Sequence, residues 1–482
     1  MPPSRAEPYA YLAFDLGASS GRAMLGRFDG HRMQMEEVHR FPTPLIEEGP
    51  RLYWDLDAVW PALQEGLRRA QQAAPRLRSL SVDSWGVDYV PMDREGRPVR
   101  RAHCYRDPRT QGMLDKAAAR VPAADLYSTT GIQFIAINTL YQILADQAFD
   151  PALFAQTTNR LLVADYFNYR FSGRAAAEVS LASTTQLYDP QHGTWATDLM
   201  EKFGIPPQSW PPIVPSATRL GPAISDNQSK IQNPKSKIEV VASCSHDTAC
   251  AVAAVPAEQD GPPWAYLSSG TWSLLGVELP EPVLTEAARR AGFTNEVGIG
   301  GTIRFLTNLT GLWVLQECER EWKAAGAAFD YATLLREAEA APPAEGFVDL
   351  NEGRFGLRGD MPEKLGAYCR EHGLTVPSTR GAVVRLILES LAETYRQTLG
   401  GLEDLLGRRI EVLHVVGGGS RNALLCQWTA DACRCRVVAG PAEATALGNL
   451  LVQVQAMGDL PAGVSIRDVV RNSSDLRVFE PR

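Results

Sequence analysis

The chain has 482 residues, 45% of them hydrophobic and 22% charged, which is typical of a globular protein with about three ordinary domains or two large ones. Its formal net charge of −8 argues against binding to nucleic acid or to an anionic membrane, because both require basic surface. No uninterrupted apolar run approaches the ~18 residues of a membrane span. The N-terminal stretch MPPSRAEPYA lacks the apolar region of a signal peptide, so we expect a cytoplasmic protein.

The cysteines are scattered along the chain, which favours free thiols in a reducing compartment. Cys433 and Cys435 form a C-x-C pair, the only close pair in the sequence. No second pair or nearby histidine completes the ligand set of a zinc site there. We therefore expect no metal at this pair.

The first predicted element is a β-hairpin over residues 9–28. Two apolar runs rich in β-formers flank the small residues Gly17 to Gly21, which is a hairpin pattern. An amphipathic helix over about 57–72 and a strand over 77–83 follow. The small side chains of the turn would let its backbone amides approach a ligand closely.

The same order of elements recurs in the second half of the chain. Residues 264–279 predict a second hairpin with a small turn, and a longer helix over about 382–405 and a strand over 410–416 follow. We interpret this recurrence as an internal duplication of an α/β unit. Two such units imply a cleft between them, and two hairpin turns could hold a polyphosphate there.

A polar stretch over residues 221–237 separates the two halves and is typical of a solvated loop. A strand over 238–242 follows it. We accordingly place two domains at residues 1–244 and 245–482. We expect no ligand contact from the segment 225–237.

Asp247 lies at this handover, between a strand and an alanine-rich helix predicted to begin near Ala249. One interpretation is a helix cap, in which Ser245 or Asp247 accepts hydrogen bonds from the free amides of the first turn. The other is a catalytic base at the mouth of the cleft. The positive end of a helix would help to keep the carboxylate ionised, so one residue could serve both purposes.

The glycine-rich stretch 415–422 follows a strand and precedes a helix at about 423–432. It could bring a nucleotide close to the backbone. A partial dinucleotide-binding motif and a plain structural turn are the alternatives. The sequence contains neither a P-loop motif nor a serine nucleophile motif.

Two further polar positions have both a structural and a functional interpretation. Asp15 at the end of the first strand could bond to the amides of its own turn, or hold a hydrated Mg²⁺. Gly86 would allow a ligand to approach closely. Its neighbour Trp85 could stack on a sugar or belong to the core.

Together, several segments resemble the FGGY family of carbohydrate kinases, within the actin-like, hexokinase-like (ASKHA) ATPase superfamily. They follow one another in order and extend to about Asn449, so the resemblance covers nearly the whole chain. The segments are DLGASSGR (15–22), DSWGVDYV (83–90), YRDPRT (105–110), TGIQF with NTLYQ (130–142), ADYFNYRFSG (164–173), SHDTA (245–249), YLSSGTWSL (266–274), NLTGLWVLQE (308–317), HVVGGGSRN (414–422) and AGPAEATALGN (439–449).

The resemblance implies an α/β fold with two ribonuclease H-like domains that flank an ATP cleft. It also implies phosphoryl transfer from MgATP to a sugar hydroxyl. The similarity to the rhamnulokinase branch implies L-rhamnulose as the substrate and its 1-phosphate as the product. Another ketose, such as L-fuculose or L-ribulose, a catalytically silent sugar-binding protein and a dehydrogenase remain alternatives. The oligomeric state stays open, with a monomer as one alternative.

The resemblance also implies roles for individual residues. Asp247 falls at the position of the general base, and Asp15 at that of the carboxylate near Mg²⁺, which it would contact through water. The positions implied to contact the sugar are Gly86, His246, Asp247, Thr248 and Asn308. Those implied to contact ATP are Ala18, Ser19, Ser20, Gly21, Arg22, Thr271, Gln316 and Gly418.

Overall fold

A computed structural model describes residues 9–224, 238–327 and 329–482 of the protein. The segment 225–237, for which we expected no ligand contact, lies outside these described residues. The chain divides into two compact units. The first comprises the residues up to Ala254 together with Glu278–Phe305 and Ala444–Ser473, and the second comprises Val255–Val277, Leu306–Glu443 and Ser474–Arg482. The expected boundary at residue 244 stays a prediction.

Strands and helices alternate along the described chain, as expected of an α/β protein. The strands are β1 (Tyr9–Leu16), β2 (Ser20–Phe28), β3 (Met33–Pro42), β4 (Leu45–Glu48), β5 (Arg51–Trp54), β6 (Leu77–Ser84), β7 (Tyr89–Met92), β8 (Asn159–Leu162), β9 (Ala177–Glu178), β10 (Tyr188–Asp189), β11 (Thr194–Trp195), β12 (Ile213–Val214), β13 (Thr218–Pro222), β14 (Glu239–Ala242), β15 (Trp264–Ser269), β16 (Trp272–Leu279), β17 (Thr294–Val297), β18 (Ile303–Thr310), β19 (Val412–Val416), β20 (Arg436–Ala439) and β21 (Arg477–Phe479). The helices are α1 (Leu56–Ala73), α2 (Met113–Ala118), α3 (Ala123–Thr130), α4 (Thr139–Phe149), α5 (Pro151–Gln156), α6 (Val163–Ser172), α7 (Val179–Ala182), α8 (Thr197–Lys202), α9 (Asp247–Ala253), α10 (Glu286–Arg290), α11 (Trp313–Ala324), α12 (Tyr331–Ala340), α13 (Met361–Glu371), α14 (Arg380–Leu406), α15 (Ala423–Cys433), α16 (Ala444–Ala456) and α17 (Ile466–Ser473).

The first unit is built on a six-stranded sheet with the order β13-β14-β6-β1-β2-β3. Strands β1 and β2 form the predicted antiparallel hairpin, and β6 runs parallel to β1. Almost every residue of β1 is buried, as in a central strand covered on both faces. The late helix α16 packs against β1 and β6, so the end of the chain completes this core.

A seven-stranded sheet repeats this arrangement, with strands in the order β17-β18-β16-β15-β19-β20-β21. The hairpin β15–β16 corresponds to β1–β2, and β19 runs parallel to β15 as β6 does to β1. In both units the next strand is again parallel, and the strand beyond it is antiparallel. The predicted duplication is therefore confirmed at the level of strand order and direction.

Helix α9 begins at Asp247, two residues before the predicted start at Ala249. His246 occupies the N-cap position with extended backbone angles (φ −83°, ψ 123°) and makes no capping hydrogen bond through its side chain. Neither Ser245 nor Asp247 is therefore the N-cap residue, because Asp247 already belongs to the first helical turn, but the predicted hydrogen bond from a free amide of that turn to Asp247 is present. Its carboxylate accepts a hydrogen bond from the Thr248 amide inside that turn.

Candidate active site

The carboxylate of Asp247 is bound on one side only. Its Oδ1 accepts hydrogen bonds from the Thr248 backbone N–H and, at 3.0 Å, from Thr248 Oγ1. His246 Nε2 lies 3.4 Å from the same oxygen. Among the described residues, all these contacts fall on Oδ1, and 31% of the side chain is exposed. Oδ2 is therefore the oxygen that we expect to face a substrate.

A buried carboxylate fixes the backbone directly before Asp247. Glu178 Oε2 accepts a hydrogen bond from the Ser245 amide at 3.0 Å, and Ser180 Oγ accepts one from the His246 amide at 3.2 Å. Burial raises the pKa of Glu178, although hydrogen bonds from Ser180 and other groups oppose this effect. The Ser84 amide donates to the Ser245 carbonyl at 2.9 Å, which ties the segment to the end of β6. Asp247 thus follows a segment with little freedom to move.

Two carboxylates lie side by side at the ends of neighbouring parallel strands. Asp15 on β1 is in register with Asp83 on β6, and Arg22 forms an ion pair with Asp15. Asn449 Nδ2 donates to Asp83 Oδ2 at 2.6 Å, whereas the buried Asp83 Oδ1 has no hydrogen-bond partner among the described residues. Burial, followed by the negative charges of Asp15 and Asp247, raises the pKa of Asp83. This group of acids would be stabilised by an additional cation.

The donor atoms at this position suit Mg²⁺, which prefers carboxylate oxygens and retains several of its waters. Asp15 was expected either to bond to its own turn or to hold the metal. The structure shows its contact with Arg22, which partly compensates the charge of the buried carboxylate. The unpartnered Asp83 Oδ1 is a further oxygen available to an ion or to its water shell.

The first hairpin turn presents backbone and small side chains to the solvent. Ala18 and Ser19 are exposed, and the turn is closed by a hydrogen bond of 3.0 Å from the Gly17 amide to the Ser20 carbonyl. Thr43 Oγ1 donates to the Gly17 carbonyl at 2.9 Å and holds the turn from behind. Gly21 serves packing, because a Cβ there would lie 2.3 Å from the Phe41 ring.

The positions expected to contact the sugar in the first unit are mostly buried. A Cβ on Gly86 would lie 3.0 Å from Thr184 Oγ1, so a larger residue would have to displace that side chain. His246 and Thr248 are also buried. Trp85 is a core residue, because it packs on Trp54 with 4.2 Å between ring centroids and is 7% exposed.

In the second unit, three of the four predicted positions lie on adjoining turns. Thr271 Oγ1 donates to Gln316 Oε1 at 3.2 Å, which links the β15–β16 turn to helix α11. A Cβ on Gly419 would lie 2.0 Å from Ser269 Oγ, so the glycine turn after β19 packs directly on the same hairpin. Gly418 is exposed, and a Cβ there would meet nothing within 4 Å. The fourth position, Asn308, lies on β18.

Models of two consecutive domains cover most of this chain. The N-terminal domain of the FGGY family of carbohydrate kinases matches residues 10–254, and the C-terminal domain of the same family matches residues 265–457. The chain belongs to the FGGY family of carbohydrate kinases. This family assignment identifies a kinase, and it contradicts the dehydrogenase interpretation of the glycine-rich stretch 415–422.

Curated relatives of this FGGY kinase agree with the domain assignment. A rhamnulokinase from Bacteroides thetaiotaomicron is 37% identical over 472 residues, which cover 98% of this chain and 96% of the relative. A rhamnulokinase from Bacillus subtilis is also 37% identical, covering 98% of this chain and 95% of the relative. The similarity therefore extends over both units.

Solved structures confirm the two-domain FGGY fold at lower sequence identity. A ligand-bound xylulose kinase from Lactobacillus acidophilus has a TM-score of 0.81 and 15% identity, covering 98% of this chain and 94% of that chain. A glycerol kinase from Plasmodium falciparum with ADP has a TM-score of 0.78 and 16% identity, with the same coverage. Within the described parts of the FGGY kinase, no helix has the length and hydrophobicity of a membrane span.

Four residues of the FGGY kinase that contact the predicted site were not singled out from the sequence. They are Glu178, Glu296, Arg304 and Asn449. Asn449 ends one of the segments that carried the family resemblance, but it received no role. Glu296 follows two polar residues on β17, so its sequence context did not indicate burial, whereas Arg304 lies between the apolar residues Ile303 and Phe305, a pattern that could have indicated a buried charge.

Proposed function

We propose that the protein is an ATP-dependent rhamnulokinase that phosphorylates the 1-hydroxyl of L-rhamnulose. Its FGGY domains support a carbohydrate kinase, and its curated relatives named rhamnulokinase support this substrate. The geometry of Asp247 is the observation that carries the chemical part of the proposal. One of its oxygens is held by neighbouring donors, while the other has no hydrogen-bond donor among the residues that the structure describes and would accept a proton.

Phosphoryl transfer depends on positioning and on charge compensation more than on covalent help from the protein. In this proposal, Asp247 Oδ2 accepts the proton of the sugar hydroxyl as the hydroxyl oxygen attacks the γ-phosphorus of ATP, the bond from that phosphorus to the β–γ bridging oxygen breaks, and ADP leaves. The position of Asp247 in the first turn of α9 supports the ionised form, because the positive end of the helix dipole lies there. The anchored backbone at Ser245 and His246 keeps the carboxylate in place.

Each unit contains its own positions that would contact the nucleotide. Ala18 to Arg22 would contact phosphates, mainly through exposed backbone amides. In the second unit these positions are Thr271, Gln316 and Gly418. Asp15 would hold Mg²⁺ through water, and the metal, when bound, offsets the negative charge of the phosphates.

The sugar would contact the buried positions beside the base. Gly86 leaves room at the end of β6, and the side chains of His246 and Thr248 flank Asp247. Asn308 would supply a further polar contact. A site that forms hydrogen bonds to particular hydroxyls rejects analogues that lack them, so these contacts would determine which ketose is used.

An ADP-release assay with a panel of sugars tests the proposal. We expect the highest kcat/KM with L-rhamnulose, against L-fuculose, L-ribulose, D-xylulose and glycerol. NMR of the product should show phosphorus coupled to carbon 1 of the sugar. A higher kcat/KM with another ketose would replace the substrate, and no sugar-dependent ADP release with any of them would contradict kinase activity.

A further inference from the structure

Two buried charged residues, Glu296 and Arg304, lie next to His246 on the Nδ1 side of its ring, whereas Asp247 lies on the Nε2 side. Glu296 on β17 and Arg304 on β18 face each other across the tight turn that joins these strands, where the Gly298 amide donates to the Thr302 carbonyl at 2.7 Å. Arg304 Nη2 lies 3.0 Å from Glu296 Oε2. The same guanidinium nitrogen lies 3.2 Å from His246 Nδ1. All three residues belong to the first unit.

These side chains are unusually deeply buried for charged groups. The Arg304 side chain is 0% exposed, and those of Glu296 and His246 are almost fully buried. Burial acts to raise the pKa of Glu296, but the charge of Arg304 and the contact with His246 outweigh it and lower that pKa. A buried ion pair contributes little net stability, because desolvation of both charges offsets their attraction. Its position against His246 therefore suggests a task other than stabilising the fold.

The contacts of the imidazole determine where its proton lies. Arg304 can only donate hydrogen bonds, and its contact with His246 Nδ1 has hydrogen-bond geometry. If Nδ1 carried the proton, its N–H would face the N–H of Arg304, and neither could accept the hydrogen bond of the other. Glu296 Oε2 is 3.3 Å from the same nitrogen, within ion-pair distance. The hydrogen bond from Arg304 thus favours a lone pair on Nδ1 and the ring proton on Nε2, although Glu296 Oε2, which has no hydrogen-bond partner among the described residues, is a competing acceptor for a proton on Nδ1.

We propose that Arg304 and Glu296 are positioning residues for the kinase reaction, because they fix His246 as the tautomer that carries its proton on Nε2. Glu296 Oε2 pairs with Arg304 Nη2 at 3.0 Å, Arg304 donates to His246 Nδ1, and His246 Nε2 lies 3.4 Å from Asp247 Oδ1, within ion-pair distance. This inference rests on the proposed role of Asp247 as the base. It assigns to His246 a function towards the protein in addition to its contact with the sugar.

The arrangement explains why the two oxygens of Asp247 differ. Because the two donors of Thr248 bind Oδ1 and His246 Nε2 lies 3.4 Å from it, the carboxylate cannot rotate without losing contacts. If the proton of the ring moved to Nδ1, a lone pair on Nε2 would face the carboxylate and repel it. The base would then lose its fixed orientation, and the loss would affect kcat more than nucleotide binding.

NMR of protein labelled with ¹⁵N-histidine tests the tautomer directly and needs no substrate. The chain has seven histidines, so a His246→Gln spectrum assigns the signal. We expect the Nε2–H form in the unchanged protein and a shift towards Nδ1–H in Arg304→Met. An Nδ1–H form or a doubly protonated ring in the unchanged protein would overturn the proposal.

A second variant covers the case in which Arg304→Met does not fold because Glu296 is left unpaired. The double substitution Arg304→Met with Glu296→Leu removes both charges, a change that is often tolerated at buried pairs. Without the donor of Arg304 at Nδ1, the Nε2–H form should be less populated than in the unchanged protein, and an unchanged population would overturn the proposal. Arg160→Met is the matched control, because Arg160 is a fully buried arginine of the same unit that bonds to Ser209. It should leave the His246 signal unchanged.

Measurements of kcat and KM then distinguish a positioning role from a general loss of structure. We expect the double variant to lower kcat about tenfold with little change in the KM for ATP. In a His246→Gln background, the same change should cost less than about twofold, because both act through one ring. Fully additive losses would overturn the proposal. An unchanged protein without kinase activity would instead contradict the proposed function and leave the NMR result valid.

Discussion

The carbonyl oxygen of Cys250 lies 1.9 Å from the position that a Cβ on Gly448 would occupy. Helices α9 and α16 therefore approach each other at a distance that only glycine permits. Helix α9 carries Asp247 in its first turn, and α16 carries Asn449, which bonds to Asp83. The contact between Cys250 and Gly448 thus sets the placement of two groups of the candidate site at once.

Substituting Gly448→Ala should therefore disturb both stability and catalysis. The added methyl group would push α9 away, and we expect the free energy of unfolding to fall by about 1–3 kcal/mol, measured by chemical denaturation. The kcat should fall as well, because Asp247 moves with its helix.

Gly400→Ala is the matched control for this substitution, since Gly400 lies inside α14 and a Cβ there would meet nothing within 4 Å. We expect that variant to gain about 0.5–1 kcal/mol from its better helix propensity. If both alanine variants changed stability in the same direction and by the same amount, the close approach of α9 and α16 would not be the cause.

Replacing Asp247→Asn should lower kcat by a factor on the order of 10² or more, because an amide cannot accept the proton of the sugar hydroxyl. The amide oxygen can still accept the hydrogen bonds of Thr248, so we expect the fold and sugar binding to persist. Isothermal titration and the ADP-release assay measure the two effects separately.

Asp115→Asn serves as the control, because Asp115 is also a carboxylate in the first turn of a helix, α2, but is exposed. It should retain the full kcat. Near-normal turnover of Asp247→Asn would remove Asp247 from the chemistry.

A bulky residue at position 271 should weaken nucleotide binding selectively. Thr271 is exposed at the β15–β16 turn beside Gln316. Thr271→Trp would fill the space that we assign to the phosphates, and we expect the KM for ATP to rise about tenfold, equivalent to ~1.4 kcal/mol. The KM for the sugar should stay close to its original value.

Thr375→Trp provides the comparison, because Thr375 is another exposed threonine of the second unit whose hydroxyl bonds to a carboxylate, that of Glu345. ATP kinetics equal to those of this control would mean that the second hairpin does not bind phosphates.

The stability of the protein should fall as the pH decreases from about 6.5 to about 4 through His103. Burial lowers the pKa of His103 to about 4, so the ring stays neutral in the folded protein while it is protonated in the unfolded chain. The unfolded state then binds the extra proton. This group alone lowers the free energy of unfolding by on the order of 3 kcal/mol across that pH range. Above pH 6.5 the ring is neutral in both states, so the contribution of His103 to the stability of the fold is fully present.

His103→Phe should flatten this part of the stability curve, measured by denaturant unfolding at several pH values. The ring of His103 stacks on Tyr53 with 4.4 Å between centroids, and phenylalanine can retain that contact. The exposed His192 offers the control, since its replacement should leave the slope intact. An unchanged slope in His103→Phe would show that other groups govern the pH dependence.

The hairpins and the order of strands could be predicted because their signals are local. Apolar runs on either side of small turn residues specify β1–β2 and β15–β16, and the structure confirms both. The start of α9 was predicted wrongly for a physical reason. Glu178 and Ser180 bind the amides of residues 245 and 246 outside the helix, so the helix begins directly after them, at Asp247.

Contacts between distant residues could not be predicted in this way. Glu296 and Arg304 lie about 50 residues beyond His246, and only the folding of the β17–β18 turn brings them to its ring. Asn449 reaches Asp83 from the far end of the chain. No periodicity in the sequence indicates such pairs, because each depends on the tertiary path of the backbone.

The return of the chain at Ala444 has a consequence for biosynthesis. Helix α16 packs on β1 and on α9, and it supplies the hydrogen bond of Gln453 to the Leu12 carbonyl. A nascent chain on the ribosome exposes the surface of β1 until the last tenth of the polypeptide emerges, roughly 20–90 s later at about 5–20 residues per second. We therefore expect the earlier-made part to depend on chaperones during synthesis, and C-terminal truncation to be as damaging as loss of the N-terminal strand.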